Sequence, residues 1–357
     1  MPTHDVNLQQ FSKRHLILIT DQSLTPSPTI LVTPAYAAGV SEVTFFLNHA
    51  RGNLKVAIPA FRAKSLELFS TSRFFSHPET LSAASRPTLG HLVSVEAATG
   101  ITTGISAADR ARTISLLANP NTTVKELVRP GHIFPYATHP LGVLGKSLLP
   151  ESALDLSTAI GFPEGALYAE TLREDGEFLD LEGVNAFAKA FDIPHIFLSA
   201  LVAYRLTNES LIKERATANL PLSYGNFKIR SFSTEALGGD HIALYMGDLS
   251  DEGGPLLTRV QTEELVSDLL EASSLNSPII ERSLRKIAAC GRGIFVYLRS
   301  GVNENRDRHF NMRCYGIGAQ ILRTFGVRRL NLLTNNLKHI PGLEAFGLEV
   351  KEQELIS

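Results

Sequence analysis

Thr102 and Thr103 stand between Gly100 and Gly104, so their hydroxyls and backbone N–H groups can approach a bound anion closely. Ser106 follows as a candidate N-cap. Asp109 lies three residues on, in capping-box spacing, and the apolar residues Ile114, Leu116 and Leu117 come after it. A helix starting there turns its positive end toward the loop, a placement that suits a phosphate. The same residues also suit an ordinary loop and cap. The stretch continues in Val128-Arg-Pro-Gly-His-Ile-Phe-Pro135, where Arg129 and His132 add a fixed cation and a titratable ring.

The elements that position these residues alternate. Arg14–Thr20 reads as a buried strand, followed by a Thr/Pro/Ser-rich loop over Gln22–Thr29 and a helix opened by Thr33-Pro34. Leu54–Ile58 and Leu92–Glu96 are short strands, and the helix from Ser106 ends at Asn119-Pro120. Helices are expected over Glu151–Ile160, Glu182–Phe191 and Leu201–Arg215, with strands at Leu167–Thr171 and Ile196–Leu198. This first half, 1–215, is α/β. Asn219–Gly225 has the composition of a linker. The second half, 216–357, reads as α+β, with strands at Asn226–Phe232, Ile242–Gly247, Leu256–Gln261, Gly293–Leu298, Leu330–Leu333 and Phe346–Val350. Helices are expected over Ser277–Ala289 and Ile317–Phe325.

A chain of 357 residues is too long for one ordinary core, which agrees with two domains. Its net charge of −2 offers no basic surface to nucleic acid or to an acidic membrane. Apolar runs such as Leu16–Ile19 are far too short to span a bilayer, and the polar Met1–Gln10 does not read as a signal peptide. Two cysteines, Cys290 and Cys314, make neither a disulfide framework nor a zinc cage, so a cytoplasmic location is expected.

The motifs Gly104-Ile-Ser-Ala-Ala-Asp-Arg-Ala-Arg-Thr-Ile, Arg129-Pro-Gly-His-Ile-Phe-Pro and Gly142-Val-Leu resemble 3,4-dihydroxy-2-butanone 4-phosphate synthase, which shortens ribulose 5-phosphate. Tyr315-Gly-Ile-Gly-Ala-Gln-Ile-Leu-Arg, Gly326-Val-Arg-Arg-Leu, Leu333-Thr-Asn-Asn and Gly342-Leu-Glu resemble GTP cyclohydrolase II. Together they resemble the bifunctional riboflavin family, from about Arg14 to Val350.

The resemblance implies an acidic, Mg²⁺-binding loop after the first strand. There this chain has Leu24 in place of an arginine, and Thr25, Ser27 and Thr29 in place of carboxylates. It also implies a metal-binding histidine where Leu149 stands and an arginine on the phosphate where Lys146 stands, while Glu170 matches a retained acidic residue. Thr102, Thr103, Asp109, Arg129 and Lys146 are then the candidate ligand-binding residues. Glu170, His132 and His139 are the candidate acid–base groups. In the second half the implied zinc motif has Glu264 at its first cysteine and no cysteine in Ser273–Pro278, and a helical segment after Arg299 is missing. Both metals are therefore expected to be absent, with no other cofactor.

These losses lead to the expectation of a pseudoenzyme, inactive in both reactions, with a regulatory or scaffolding role linked to flavin metabolism. The alternative is a repurposed, metal-independent enzyme acting on a sugar phosphate or small cyclic substrate. Expected partners are a phosphorylated small molecule and a second copy of the chain, since the resemblance implies a homodimer, or an active paralogue in a hetero-oligomer. No nucleic-acid or membrane partner is expected.

Overall fold

In a computed structural model the chain divides into two compact units, Met1–Tyr204 and Arg205–Ser357. The structure describes residues 15–70, 90–236, 239–263, 279–299, 309–335 and 343–356. Among them no helix is long and apolar enough to cross a membrane.

The first unit is built on a mixed sheet of eight strands: β1 (Ile17–Thr20), β2 (Thr29–Pro34), β3 (Lys55–Pro59), β4 (Gly90–His91), β5 (Val95–Ala97), β6 (Leu127–Thr138), β7 (Ala166–Glu170) and β8 (His195–Phe197). Their order is β4-β6-β3-β7-β2-β1-β8, with β5 also on β6. Strands β3 and β6 run parallel, whereas β7 is antiparallel to both β3 and β2. Alternation along each strand gives the sheet two different faces. Leu18, Leu31, Val56, Ile58, Leu167 and Ala169 point to one side and join the main apolar core; after the short helices α1 (Val40–Phe45) and α2 (Ala60–Ser65), helix α3 (Ala107–Ala118) adds the fully buried Ile114 and Leu117. Burying two such side chains is worth about 3–6 kcal/mol in transfer free energy. The other side is covered by helix α4 (Leu149–Ala159), which packs on β2, β3 and β7.

Three expectations change. The helix proposed from Thr33-Pro34 is strand β2, whose six residues are all buried; an apolar run covered on both faces carries no alternation to reveal it. The helix expected over Leu201–Arg215 is Leu198–Asn208, and Lys213–Leu222 is a strand instead. The supposed linker Asn219–Gly225 is therefore the end of a hairpin, in which Leu222 pairs with Gly225. Pro221 is tolerated because that strand lies at the sheet edge.

The second unit carries a seven-stranded mixed sheet. The helices Ile279–Cys290 and Phe310–Thr324 are found near the two expected positions. Leu284 and Ile287 of the former pack with Phe227, Phe295 and Leu333 in a small core.

Candidate functional site

Cross-strand register gathers a polar stripe on the face of the first sheet that α4 covers. Lys55 pairs with Tyr168 across β3 and β7 and with Phe134 across β3 and β6. Ala57 pairs with Tyr136, and Tyr136 with His91. Because residues two apart on one strand share a face, Lys55, Tyr168, Glu170, Tyr136 and His91 all lie on this side.

The contacts agree with the register. The Lys55 ammonium donates to the Glu170 carboxylate and lies 5.9 Å from the centroid of the Tyr168 ring. Both members of the ion pair keep some solvent access, with 18% of the Lys55 side chain and 24% of the Glu170 side chain exposed. His91 meets Tyr136 edge-on at 5.2 Å. Burial, then the Lys55 charge, lowers the His91 pKa, so this imidazole is neutral at pH 7.

Glu151 enters from the first turn of α4 and is fully buried, accepting a hydrogen bond of 3.3 Å from the His139 amide. Burial pushes its carboxyl up to about 7. Burial, together with the neighbouring Glu151 carboxyl, also raises the Tyr136 phenol. Tyr168 is 2% exposed, and its hydroxyl finds no hydrogen-bond partner among the described residues. Such an orphaned group is unusual in a native interior.

The sequence-derived residues fall into separate places. Glu170 lies in the stripe, and Lys146 is near enough to Glu151 for its charge to oppose the rise in that carboxyl's pKa. His139 meets Glu151 through its backbone, while its Nδ1 accepts from the Leu141 amide at 3.1 Å. Its ring also occupies the space a Cβ on Gly145 would need.

Thr102 is committed elsewhere. Its amide and hydroxyl donate to the Asp109 carboxylate at 3.2 and 2.8 Å, and the Gly104 amide does so at 3.1 Å. Ser106 caps α3 as expected, accepting from the Asp109 amide at 3.1 Å. The Asp109 carboxylate, however, organises the loop rather than completing a reciprocal box, so these donors hold a side chain and not an external anion. Thr103 is exposed. His132 pairs with Glu96, against which Gly104 packs. The Arg129 guanidinium donates to the Leu66 carbonyl at 2.6 Å, a structural contact.

The resemblance implies Mg²⁺ in this unit, and the described residues do not fit it. No three His, Cys, Asp or Glu side chains converge among the described residues, and the one retained carboxylate, Glu170, faces an ammonium. In the second unit Cys290 and Cys314 sit in two different helices, one exposed and one buried. Glu264, Ser273–Pro278 and the segment 300–308 lie outside the described residues.

A family model for 3,4-dihydroxy-2-butanone 4-phosphate synthase matches residues 6–204, and one for GTP cyclohydrolase II matches 213–308 and 300–354. The chain belongs to the riboflavin biosynthesis family that joins these two domains. It is 31% identical to the riboflavin biosynthesis protein RibBA of Aquifex aeolicus (strain VF5), over 97% of this chain and 90% of that one. Against the protein of the same name from Bacillus subtilis (strain 168) it is 30% identical, over 97% and 91%. Among solved structures it is similar to RibBX, described as a two domain 3,4-dihydroxy-2-butanone 4-phosphate synthase from A. baumannii. That match has a TM-score of 0.78 and 25% identity, and it covers 97% of this chain and 98% of the other.

These findings overturn the expectation of a pseudoenzyme with a regulatory or scaffolding role. End-to-end relatives bear the names of biosynthetic enzymes, which speaks for an active member of the family. The error had a physical source. The expectation rested on lost ligands in the loop Gln22–Thr29, at Leu149 and in the zinc segment of the second half, and gave no weight to Lys55, His91, Tyr136, Glu151 and Tyr168.

Proposed function

We propose that the chain is an active enzyme of riboflavin biosynthesis whose first domain converts a ketose phosphate, ribulose 5-phosphate, into 3,4-dihydroxy-2-butanone 4-phosphate and formate. The observation that carries this reading is the Glu170 carboxylate, held by Lys55 at the accessible end of a buried polar stripe. Loss of a carbon from a ketose phosphate begins with proton removal beside the carbonyl, which a positioned carboxylate performs. Glu170 has the access to act as this base. Glu151, on the buried side, positions Tyr136, and the neutral His91 is available to carry a proton. Lys146, on the segment leading into α4, supplies a positive charge for the phosphate end.

The two-domain synthase from A. baumannii supports this choice, since a chain of the same architecture is described by the synthase reaction alone. Formate release from ribulose 5-phosphate, read through a coupled formate dehydrogenase, tests it. Glu170→Gln should lower kcat by about 10²–10⁴-fold, the usual contribution of a general base. An unchanged kcat would remove Glu170 from the mechanism.

A further inference from the structure

We propose that Lys55 is a catalytic residue of this site, its ammonium receiving the oxyanion that forms when Glu170 takes a proton from the carbon beside the substrate carbonyl. The inference rests on the first domain being a ketose-phosphate enzyme and deepens that reading by naming the group that carries the positive charge.

An enediolate in a partly buried site needs a fixed positive charge at its oxygen, and such preorganised charge is commonly the largest single contribution to catalysis. No three acidic, His or Cys side chains converge among the described residues to hold a divalent cation, whereas an ammonium already touches the carboxylate that would act as base. Lys55 is placed with precision. It opens β3, an interior strand of the sheet, pairs in register with Tyr168 and Phe134, and is held at its ammonium by Glu170 beside the Tyr168 ring. An ammonium has three N–H donors. One can stay on Glu170 while another reaches the oxyanion, so the resting ion pair need not be dismantled.

A purely structural role explains less. A partly buried ion pair adds little stability over apolar residues of the same volume. The neighbouring Tyr168 hydroxyl also finds no partner among the described residues, as expected of a surface arranged for something polar that is not part of the chain.

In the step itself the C–H bond breaks and its proton goes to a Glu170 oxygen. The electron pair becomes the new C=C bond, and the carbonyl π pair moves onto oxygen, which accepts a hydrogen bond from Lys55. Lys55 remains an ammonium throughout, and no other reactant is consumed.

Exchange of carbon-bound hydrogen in ribulose 5-phosphate for deuterium in D₂O, followed by NMR with and without added Mg²⁺, isolates this step from the later ones. Wild type should exchange. Lys55→Met should slow exchange by about 10²–10³-fold, the cost of removing one oxyanion partner. Lys55→Arg, which keeps the charge, should recover part of the loss. If Lys55→Met fails to fold by thermal denaturation, Lys55→Gln replaces it, being neutral but still able to donate to Glu170. Exchange within about threefold of wild type in a folded neutral variant would overturn the role of Lys55 while leaving the ketose-phosphate reading intact. Absence of both exchange and formate in the wild type would refute that reading itself, and the inference with it.

Discussion

Replacing Glu151 by Gln should stabilise the protein at alkaline pH and do little in acid. Glu151 is 1% exposed, and burial raises its carboxyl from 4.5 to about 7. In the unfolded chain the group returns to its ordinary value, so between the two values the folded state holds a proton that the unfolded state releases. Stability from this group is therefore complete below about 4.5 and falls as pH rises through 7, levelling off above. At about 1.4 kcal/mol per pH unit, the interval is worth about 3 kcal/mol overall and about 2–3 kcal/mol between pH 5 and pH 8.5. Gln keeps an acceptor for the His139 amide but does not titrate, and subtracting wild type from variant cancels every other titrating group. Urea unfolding of both proteins at pH 5 and 8.5 should show Glu151→Gln gaining that amount on the alkaline side. At about 2–4 °C per kcal/mol this equals a rise of roughly 5–10 °C in Tm. The same stability difference at both pH values would refute the burial argument.

Two further substitutions test the loop that the sequence marked out. Asp109→Ala removes the acceptor for the Thr102 amide and hydroxyl and for the Gly104 amide, and should lower Tm by several degrees in thermal denaturation. Hydrogen bonding from Thr102 holds the Asp109 carboxyl below its ordinary 3.8, so this contribution is present above that pH and fades on acidification. Gly104→Ala should destabilise by about 1–3 kcal/mol and break the Glu96–His132 pair. At φ +78° a Cβ there would come within 1.9 Å of the Glu96 carboxylate. Unchanged ring chemical shifts of His132 by NMR would contradict that contact.

Local features were legible in the sequence. The Ser106 cap, the helix behind it and most strands of both halves could be read from periodicity and punctuation, since each depends on residues close together in the chain. Strand β2 was missed because it is buried on both faces. The edge strand Lys213–Leu222 was missed because its exposed residues lack an apolar side and its Pro221 reads as a breaker.

The candidate site was legible only in part. Glu170 carried a motif, but Lys55 looks like a polar strand terminus and Glu151 like an acidic residue in a first helical turn. Their meaning lies in the register of β3, β4, β6 and β7, which no local pattern encodes. Thr102 misled in the opposite sense. Its spacing suits an anion, yet a carboxylate seven residues on takes the same donors first.

The most direct test of the account is ¹³C NMR of uniformly labelled ribulose 5-phosphate incubated with the purified full-length chain. A four-carbon phosphate and formate should appear together, with both lost in Glu170→Gln. Unchanged substrate with the folded wild-type protein, with or without added Mg²⁺, would contradict it.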